Sequence, residues 1–177
     1  MNNSFWQYID RLELLAFFSG YPLVYAAVMV FFGNKKTGRK NLAGILCSLL
    51  PYAYALSGTL YVGLLMRNLY PDYSIKNIEA YFDNAYLKIW AILSLVFWVP
   101  LFARKPVISL FHSLIFFFFF VKDIFLFNFS EPDHAMIKNE IKIYSDSLLL
   151  NVITFAAMVL LYFLITSIRN KKPISRS

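Results

Sequence analysis

Five charged residues lie inside or at the edge of apolar stretches, where a membrane-embedded charge can bind an ion or a partner. They are Glu13, Arg67, Lys88, Lys122 and Asp123. A charge in hydrocarbon costs about 2.5–3.5 kcal/mol on insertion scales, so each one needs an opposite charge, water or the headgroup region. We interpret the five as a polar layer in the outer leaflet. Two roles are open for this layer: charges wetted at the interface, which is the commoner case, or a vestibule for ions or a partner.

Lys88 and Asp123 are predicted to lie at similar depths. The connector at residues 103–106 is short enough to make the flanking stretches an antiparallel hairpin. Counted from this turn, Lys88 lies about 16 residues before it and Asp123 about 18 after it, an axial offset of only about 2–3 Å. We therefore expect an ion pair between them. Lys122 is rotated by about 100° from Asp123, and we expect it to reach Glu13 or to extend to the headgroups.

A second set of polar residues surrounds two prolines near the midplane. Pro22 lies about 15 residues before the first predicted turn and Pro51 about 14 after it, so they share a depth. Each proline removes a backbone hydrogen bond and frees a carbonyl group. Residues within a turn of these prolines are Ser19, Gly20, Tyr54 and Ser57. Two interpretations are open: simple helix kinks, or paired helix interruptions that bind a small solute or an ion.

The chain contains two histidines, His112 and His134, and one cysteine, Cys47. They make no recognised metal-binding spacing, and the sequence has no nucleophile elbow, phosphate-binding loop or zinc-protease motif. We expect His112, which lies within an apolar stretch, to be a neutral hydrogen-bonded group. The sequence therefore predicts no catalytic residue, no metal and no cofactor.

The elements that must position these residues are five apolar stretches. Apolar residues make up 59% of the 177 residues. A helix needs about 20 residues to cross a bilayer, and each stretch has or approaches this length. We predict an all-α fold: a single integral membrane domain, residues 1–177, that is a bundle of five transmembrane helices. The predicted spans are residues 12–32, 42–65, 85–102, 107–127 and 147–168. The predicted outer loops are residues 66–84 and 128–146, and the basic tail is residues 169–177.

The distribution of charge predicts the orientation of this bundle. All ten acidic residues lie on one side of the predicted membrane or at helix ends that open onto it. The cations of the other side are Lys35, Lys36, Arg39, Lys40, Arg104, Lys105, Arg169, Lys171, Lys172 and Arg176. Because Lys and Arg near span ends are retained in the cytoplasm, we predict an outside N-terminus and a cytoplasmic C-terminus. We expect a multi-pass plasma-membrane protein, and the enrichment in Lys, Asn, Ile and Phe suggests a bacterial inner membrane.

Two local patterns bear on helix packing. Gly44 and Ser48 lie one turn apart and are predicted to form a close-packing face between helices. The five consecutive phenylalanines from Phe116 to Phe120 sample the whole circumference of a helix. We interpret this run mostly as lipid-facing filler rather than as part of a cofactor pocket.

These observations favour a non-enzymatic component of a membrane assembly, such as a pore, sensor or scaffold subunit. The expected partners are the lipid bilayer and either a second copy or another membrane or cytoplasmic protein. Nucleic acid is not expected, because the cations lie at helix ends where orientation explains them. An alternative is a small-solute or ion carrier with its site at the Pro22 and Pro51 interruptions. A third possibility is a lipid-modifying membrane enzyme.

Overall fold

The computed structural model describes residues 14–32, 42–71, 86–128 and 134–170. Within these ranges only the backbone is described for residues 123, 124, 126–128 and 134–140. Every regular element of the described chain is helical, as predicted. A helical turn at residues 14–18 precedes the first element, and we call residues 14–32 together the first helical segment. The elements are α1 (Tyr21–Phe32), α2 (Leu42–Leu69), α3 (Tyr86–Ile92), the 3-10 helix (Leu93–Trp98), α4 (Pro100–Ala103), α5 (Pro106–Asn128) and α6 (His134–Asn170).

Three stretches of helix are long and apolar enough to cross a membrane. They are Leu14–Phe32, Leu42–Leu69 and Ile141–Asn170, and they correspond to the first, second and fifth predicted spans. The third and fourth predicted spans correspond to the shorter apolar helices Tyr86–Trp98 and Pro106–Lys122. Length and composition thus support membrane insertion through these three helices.

The third predicted span is not one continuous helix. The chain passes from α3 into the 3-10 helix and then breaks at Val99, whose φ of −76° and ψ of 124° are extended. Pro100 follows as the first residue of α4. A proline disfavours the helical region for the residue before it, which explains the break. At about 1.5 Å per residue for α3 and about 2.0 Å for the 3-10 helix, Tyr86–Trp98 rises about 22 Å.

α2 is the central helix and packs against every other described helix. Leu50, Tyr54 and Ala55 have no exposed surface, whereas Leu60, Gly63 and Met66 are exposed. At 100° per residue the buried residues cover one broad side of α2, and the opposite side is exposed. Small residues near the middle of α2 allow neighbouring helices to approach. The prediction that Gly44 and Ser48 form a close-packing face is wrong, because both residues are exposed.

The close helix contacts are instead at Gly20 and Gly58. A β-carbon at Gly20 would lie 2.6 Å from the backbone nitrogen of Leu148 in α6. A β-carbon at Gly58 would collide with the side chain of Ser94 in the 3-10 helix. At Gly20 the neighbouring atoms are backbone and cannot move aside, whereas at Gly58 the colliding group is the Ser94 side chain.

The phenylalanine run is only partly lipid-facing. Phe116 and Phe120 are buried, whereas Phe118 is 65% exposed. Phe116 stacks on Phe18 with a centroid distance of 4.7 Å, and Phe120 stacks on Tyr144 at 4.8 Å. The spacing of four residues places both rings on the inward face of α5.

Candidate functional site

Tyr54 occupies the centre of the bundle and has no exposed surface. Its hydroxyl oxygen lies 2.7 Å from Nδ1 of His112 in α5, within hydrogen-bond distance. Its ring meets Phe18 and Phe97 edge-on at 5.6 and 5.5 Å, and it lies 4.5 Å from the ring of Tyr21. One side chain of α2 therefore contacts the first helical segment, the 3-10 helix and α5.

His112 is fixed on several sides by aromatic groups. The indole of Trp90 stacks on its ring at 4.5 Å and an interplanar angle of 9°, and Phe97 meets it edge-on at 5.7 Å. The Trp90 indole nitrogen donates to the His112 carbonyl oxygen at 3.1 Å. Nε2 of His112 is buried and has no hydrogen-bond partner among the described residues. The imidazole is therefore hydrogen-bonded at only one ring nitrogen.

Tyr21 links the same cluster to the start of α5. Its hydroxyl lies 2.8 Å from Oγ of Ser109, and Ser109 in turn donates to the Pro106 carbonyl oxygen at 2.7 Å. Tyr21, Ser109 and the Tyr54–His112 pair form what we call the aromatic-histidine cluster. It combines hydroxyl and imidazole groups in a sheath of rings, so its polar atoms are separated from the surrounding lipid.

A second polar cluster joins α2 to α6. Oγ of Ser57, one turn beyond Tyr54, lies 3.3 Å from Oδ1 of Asn151 and 3.1 Å from Oγ1 of Thr154. The Asn151 amide nitrogen donates to the carbonyl oxygens of Phe17 at 3.1 Å and Ser147 at 2.8 Å. Asn151 thereby binds α6 to both the first helical segment and α2.

Ser147 completes this second cluster at the helix break. The chain turns at Ser19 and Gly20, between the helical turn at 14–18 and α1. The Gly20 amide donates to Oγ of Ser147 at 2.9 Å, and Oγ of Ser19 lies 3.3 Å from the same atom. We call Ser19, Gly20, Ser57, Ser147, Asn151 and Thr154 the serine-asparagine cluster. A serine of α6 thus fills the break in the first segment.

The residues predicted around the two prolines divide between these clusters. Ser19, Gly20 and Ser57 lie in the serine-asparagine cluster and Tyr54 in the aromatic-histidine cluster. The break in this segment is at Ser19 and Gly20, just before Pro22, whose missing amide leaves the Phe18 carbonyl oxygen without its i→i−4 bond. Pro22 is the second residue of α1, and α2 continues through Pro51 without interruption. Proline is tolerated in the first turn of a helix, where its missing amide would lack a partner in any case.

The partners of these residues on α5 and α6 were not part of the predicted site. Ser147, Asn151 and Thr154 recur at spacings of four and three residues, which puts them on one face of α6. They are the polar residues of the stretch 147–161, which is otherwise apolar, and this pattern is the signal that identifies them. His112 was singled out as a neutral hydrogen-bonded group, but no pattern in the sequence indicated Tyr54 as its partner.

The predicted outer polar layer is only partly covered by the described residues. Glu13 lies outside them, and so does the side chain of Asp123. Arg67 and Lys122 are exposed, and Lys88 is half-buried and has an interaction partner. Arg67 near the end of α2, Lys88 near the start of α3 and Lys122 near the end of α5 lie at helix ends that face the same side in the predicted topology. The Lys88–Asp123 pair stays a prediction.

The two clusters offer hydroxyl, amide and imidazole groups. In the parts of the chain that the structure describes, no three His, Cys, Asp or Glu side chains converge on a metal-sized site. Comparison with protein-family models, with curated proteins and with solved structures finds no match to this chain. The interpretation of the site therefore depends on its own geometry.

Proposed function

We propose that this protein is a non-enzymatic subunit of a membrane assembly and that α6 is its contact helix. The assembly partner is a second copy of the chain or another membrane protein that presents an apolar helix. The role is that of a scaffold, because the polar groups inside the bundle are used to hold its own helices together.

The observation that supports this proposal is the uneven burial of the three long apolar helices. In the most apolar part of α6 only 11% of the residues are buried. The corresponding fractions are 50% for Leu14–Phe32 and 56% for Leu42–Leu69. The polar face at its N-terminal half attaches α6 to the bundle, whereas Leu160, Leu164, Ile165 and Ile168 are each about three-fifths exposed. Membrane helices associate through van der Waals packing, and this exposed part of α6 is the surface that we propose for a partner.

The geometry at Gly20 argues against the carrier alternative. A transport site at a helix break needs backbone groups that are available to an ion or solute. Here the Gly20 amide is already bound by Ser147, and the backbone of α6 lies within 2.7 Å of the position of a Gly20 β-carbon. The break is closed by protein, which favours a structural role for these hydroxyl groups.

The proposal includes a five-crossing topology with an outside N-terminus in a bacterial inner membrane. The third predicted span is the least suited by length to cross the bilayer, because Tyr86–Trp98 rises about 22 Å and the hydrocarbon is about 30 Å thick. Arg104 and Lys105 at the end of that segment are exposed, and their long side chains extend the reach of the hairpin toward the cytoplasmic headgroups.

A cysteine scan of α6 tests the proposed contact. Single cysteines are placed at each position from 160 to 168 in a Cys47→Ser background and cross-linked in native membranes. We expect adducts at every third or fourth position, because a helix presents one face to a partner. Thr154→Cys is the control, since Thr154 is only 2% exposed and faces the bundle.

The mass of the purified protein in mild detergent gives the second measurement. A homomeric assembly is a multiple of the 20.6 kDa chain, and adducts with another protein in membranes identify a heteromeric one. A monomer in detergent that also gives no periodic adducts in native membranes would contradict the proposed assembly.

A further inference from the structure

A groove of about 380 Å³ lies between α1 and α6 and opens to the outside of the bundle. All of its lining residues are apolar. Its α1 wall includes Leu23, Ala27 and Phe31, and its α6 wall consists of Leu148, Val152 and Phe155. Leu148 is also the residue against which Gly20 closes, so the groove begins where the two helices meet and continues toward the C-terminal end of α1. Its volume lies at the lower end of the range for small-ligand sites, about 300–1,000 Å³.

The chemistry of the groove selects an apolar chain as its ligand. No side chain of its lining offers a hydrogen bond, which excludes a polar solute. Its opening faces the region that lipid occupies around a membrane-inserted bundle. Phe32 also lines the groove and is the last residue of α1. An occupant that follows α1 therefore reaches the membrane surface at the end of this helix.

The charge of the sequence at this end selects the headgroup. Residues 33–41, which follow Phe32 directly, contain Lys35, Lys36, Arg39 and Lys40 and no acidic residue. Basic residues next to a span attract anionic lipid by about 1 kcal/mol each near the surface. An apolar groove whose last lining residue, Phe32, directly precedes this basic segment in the sequence is complementary to a ligand with a hydrocarbon chain and an anionic head.

We propose that this groove binds one acyl chain of an anionic phospholipid, as a site distinct from the general lipid surface. The site is independent of the proposed assembly, because its lining on α6 ends at Phe155. The contact surface of the assembly is residues 160–168 of α6. Loss of either function leaves the other measurable.

Photo-labelling tests this site in reconstituted vesicles. Phosphatidylglycerol with a diazirine in one acyl chain is compared with phosphatidylcholine that carries the same chain, and labelled peptides are mapped by mass spectrometry. We expect preferential labelling by phosphatidylglycerol in the peptides that contain residues 23–32 and 148–155. Equal labelling by the two lipids would overturn the anionic specificity, and labels spread evenly over all exposed apolar residues would overturn the site itself.

Two adjacent alanines supply a matched pair of variants. Ala27 lines the groove, whereas Ala26 is exposed on α1 and is not part of the lining. We expect Ala27→Trp to lower phosphatidylglycerol labelling of the groove by about tenfold, since exclusion of two methylenes has an effect of that size. Ala26→Trp is expected to leave the labelling unchanged. Equal losses in both variants would contradict the proposal.

The α6 wall provides a second pair if Ala27→Trp fails to fold. Val152 lines the groove and is 47% exposed, and its neighbour Ile153 is 54% exposed and lies outside the lining. Val152→Trp is expected to reduce labelling and Ile153→Trp to preserve it. Cross-linking of the groove residues to a second copy of the chain in place of lipid would refute the acyl-chain site.

Discussion

The hydroxyl oxygen of Tyr54 and Nδ1 of His112 are 2.7 Å apart at the centre of the bundle, and the other imidazole nitrogen has no partner in the described part of the chain. The hydrogen bond joins α2 to α5. An unpaired polar atom in a buried environment costs free energy, so any shift of α5 that breaks this hydrogen bond is unfavourable. The relationship makes the Tyr54 hydroxyl the most informative atom to remove.

Tyr54→Phe is expected to lower the free energy of unfolding by about 1–3 kcal/mol, because both imidazole nitrogens of His112 would then be buried without a partner. Chemical unfolding in detergent measures this loss. The double variant Tyr54→Phe with His112→Phe removes both polar partners and is expected to be less destabilised than the sum of the single variants by about 1 kcal/mol. Strict additivity would mean that the two groups do not interact.

The control for this cycle is Tyr52→Phe. Tyr52 lies on the same helix and is half-buried, but its ring faces Trp98 at a centroid distance of 6.2 Å rather than His112. Removal of its hydroxyl is expected to change the free energy of unfolding by less than about 0.5 kcal/mol. A loss equal to that of Tyr54→Phe would show that any tyrosine hydroxyl in α2 has the same effect.

Gly20→Ala is expected to destabilise the bundle by about 1–3 kcal/mol, because the new β-carbon would lie 2.6–2.7 Å from backbone atoms of Ser147 and Leu148, which cannot rotate away. Gly63→Ala is the matched control, since no atom lies within 4 Å of its β-carbon position. That substitution is expected to be neutral or to stabilise α2 by up to about 1 kcal/mol. Thermal unfolding of the two variants in the same detergent compares them, and equal midpoints would contradict the close approach of α6.

The helical class and the three long apolar helices could be predicted from the sequence because hydrophobic length is a local property. The break at Val99 could also have been found, since Pro100 follows it, but the predicted span continued through it. Tyr54 and Ser57 were selected for their distance from Pro51, and they do contact α5 and α6. Which helices they contact depends on the arrangement of the bundle, and neither residue's local sequence contains that information.

The close-packing glycines illustrate the same limit. α2 contains the predicted pair Gly44 and Ser48 as well as Gly58. By residue type all three are equally suited to close packing. Of these three residues Gly58 alone is buried, because the 3-10 helix packs against α2 at that level, whereas Gly44 lies in the first turn of the helix and is exposed. The sequence pattern identifies residues that permit a close contact, and the tertiary structure decides which of them form one.

Asn151→Leu is expected to cost about 1–2 kcal/mol of stability, since hydrogen bonds inside membrane bundles contribute about 0.6 kcal/mol on average and up to about 1.7. The substitution removes the bonds to the Phe17 and Ser147 carbonyl oxygens and the contact with Ser57. Thr166→Val is the control, because among the described residues the Thr166 hydroxyl bonds to the Tyr162 carbonyl of its own helix and to no other helix. Similar losses in both variants would show that the polar face of α6 has no special role in its attachment.

The number of crossings can be tested at three positions in a Cys47→Ser background. The proposed topology predicts that Asn3→Cys is labelled by an impermeant reagent from outside the cell and Ser175→Cys only from inside. Both results agree with either five or three crossings. If the hairpin of the third and fourth predicted spans enters and leaves on the outer side, the number of crossings falls by two and both termini keep their sides. Arg104→Cys separates the two, since Arg104 is exposed at the end of α4 and five crossings place it at the cytoplasmic surface. Labelling of Arg104→Cys from inside supports five crossings, whereas its protection from both sides would place the hairpin tip within the membrane and leave three.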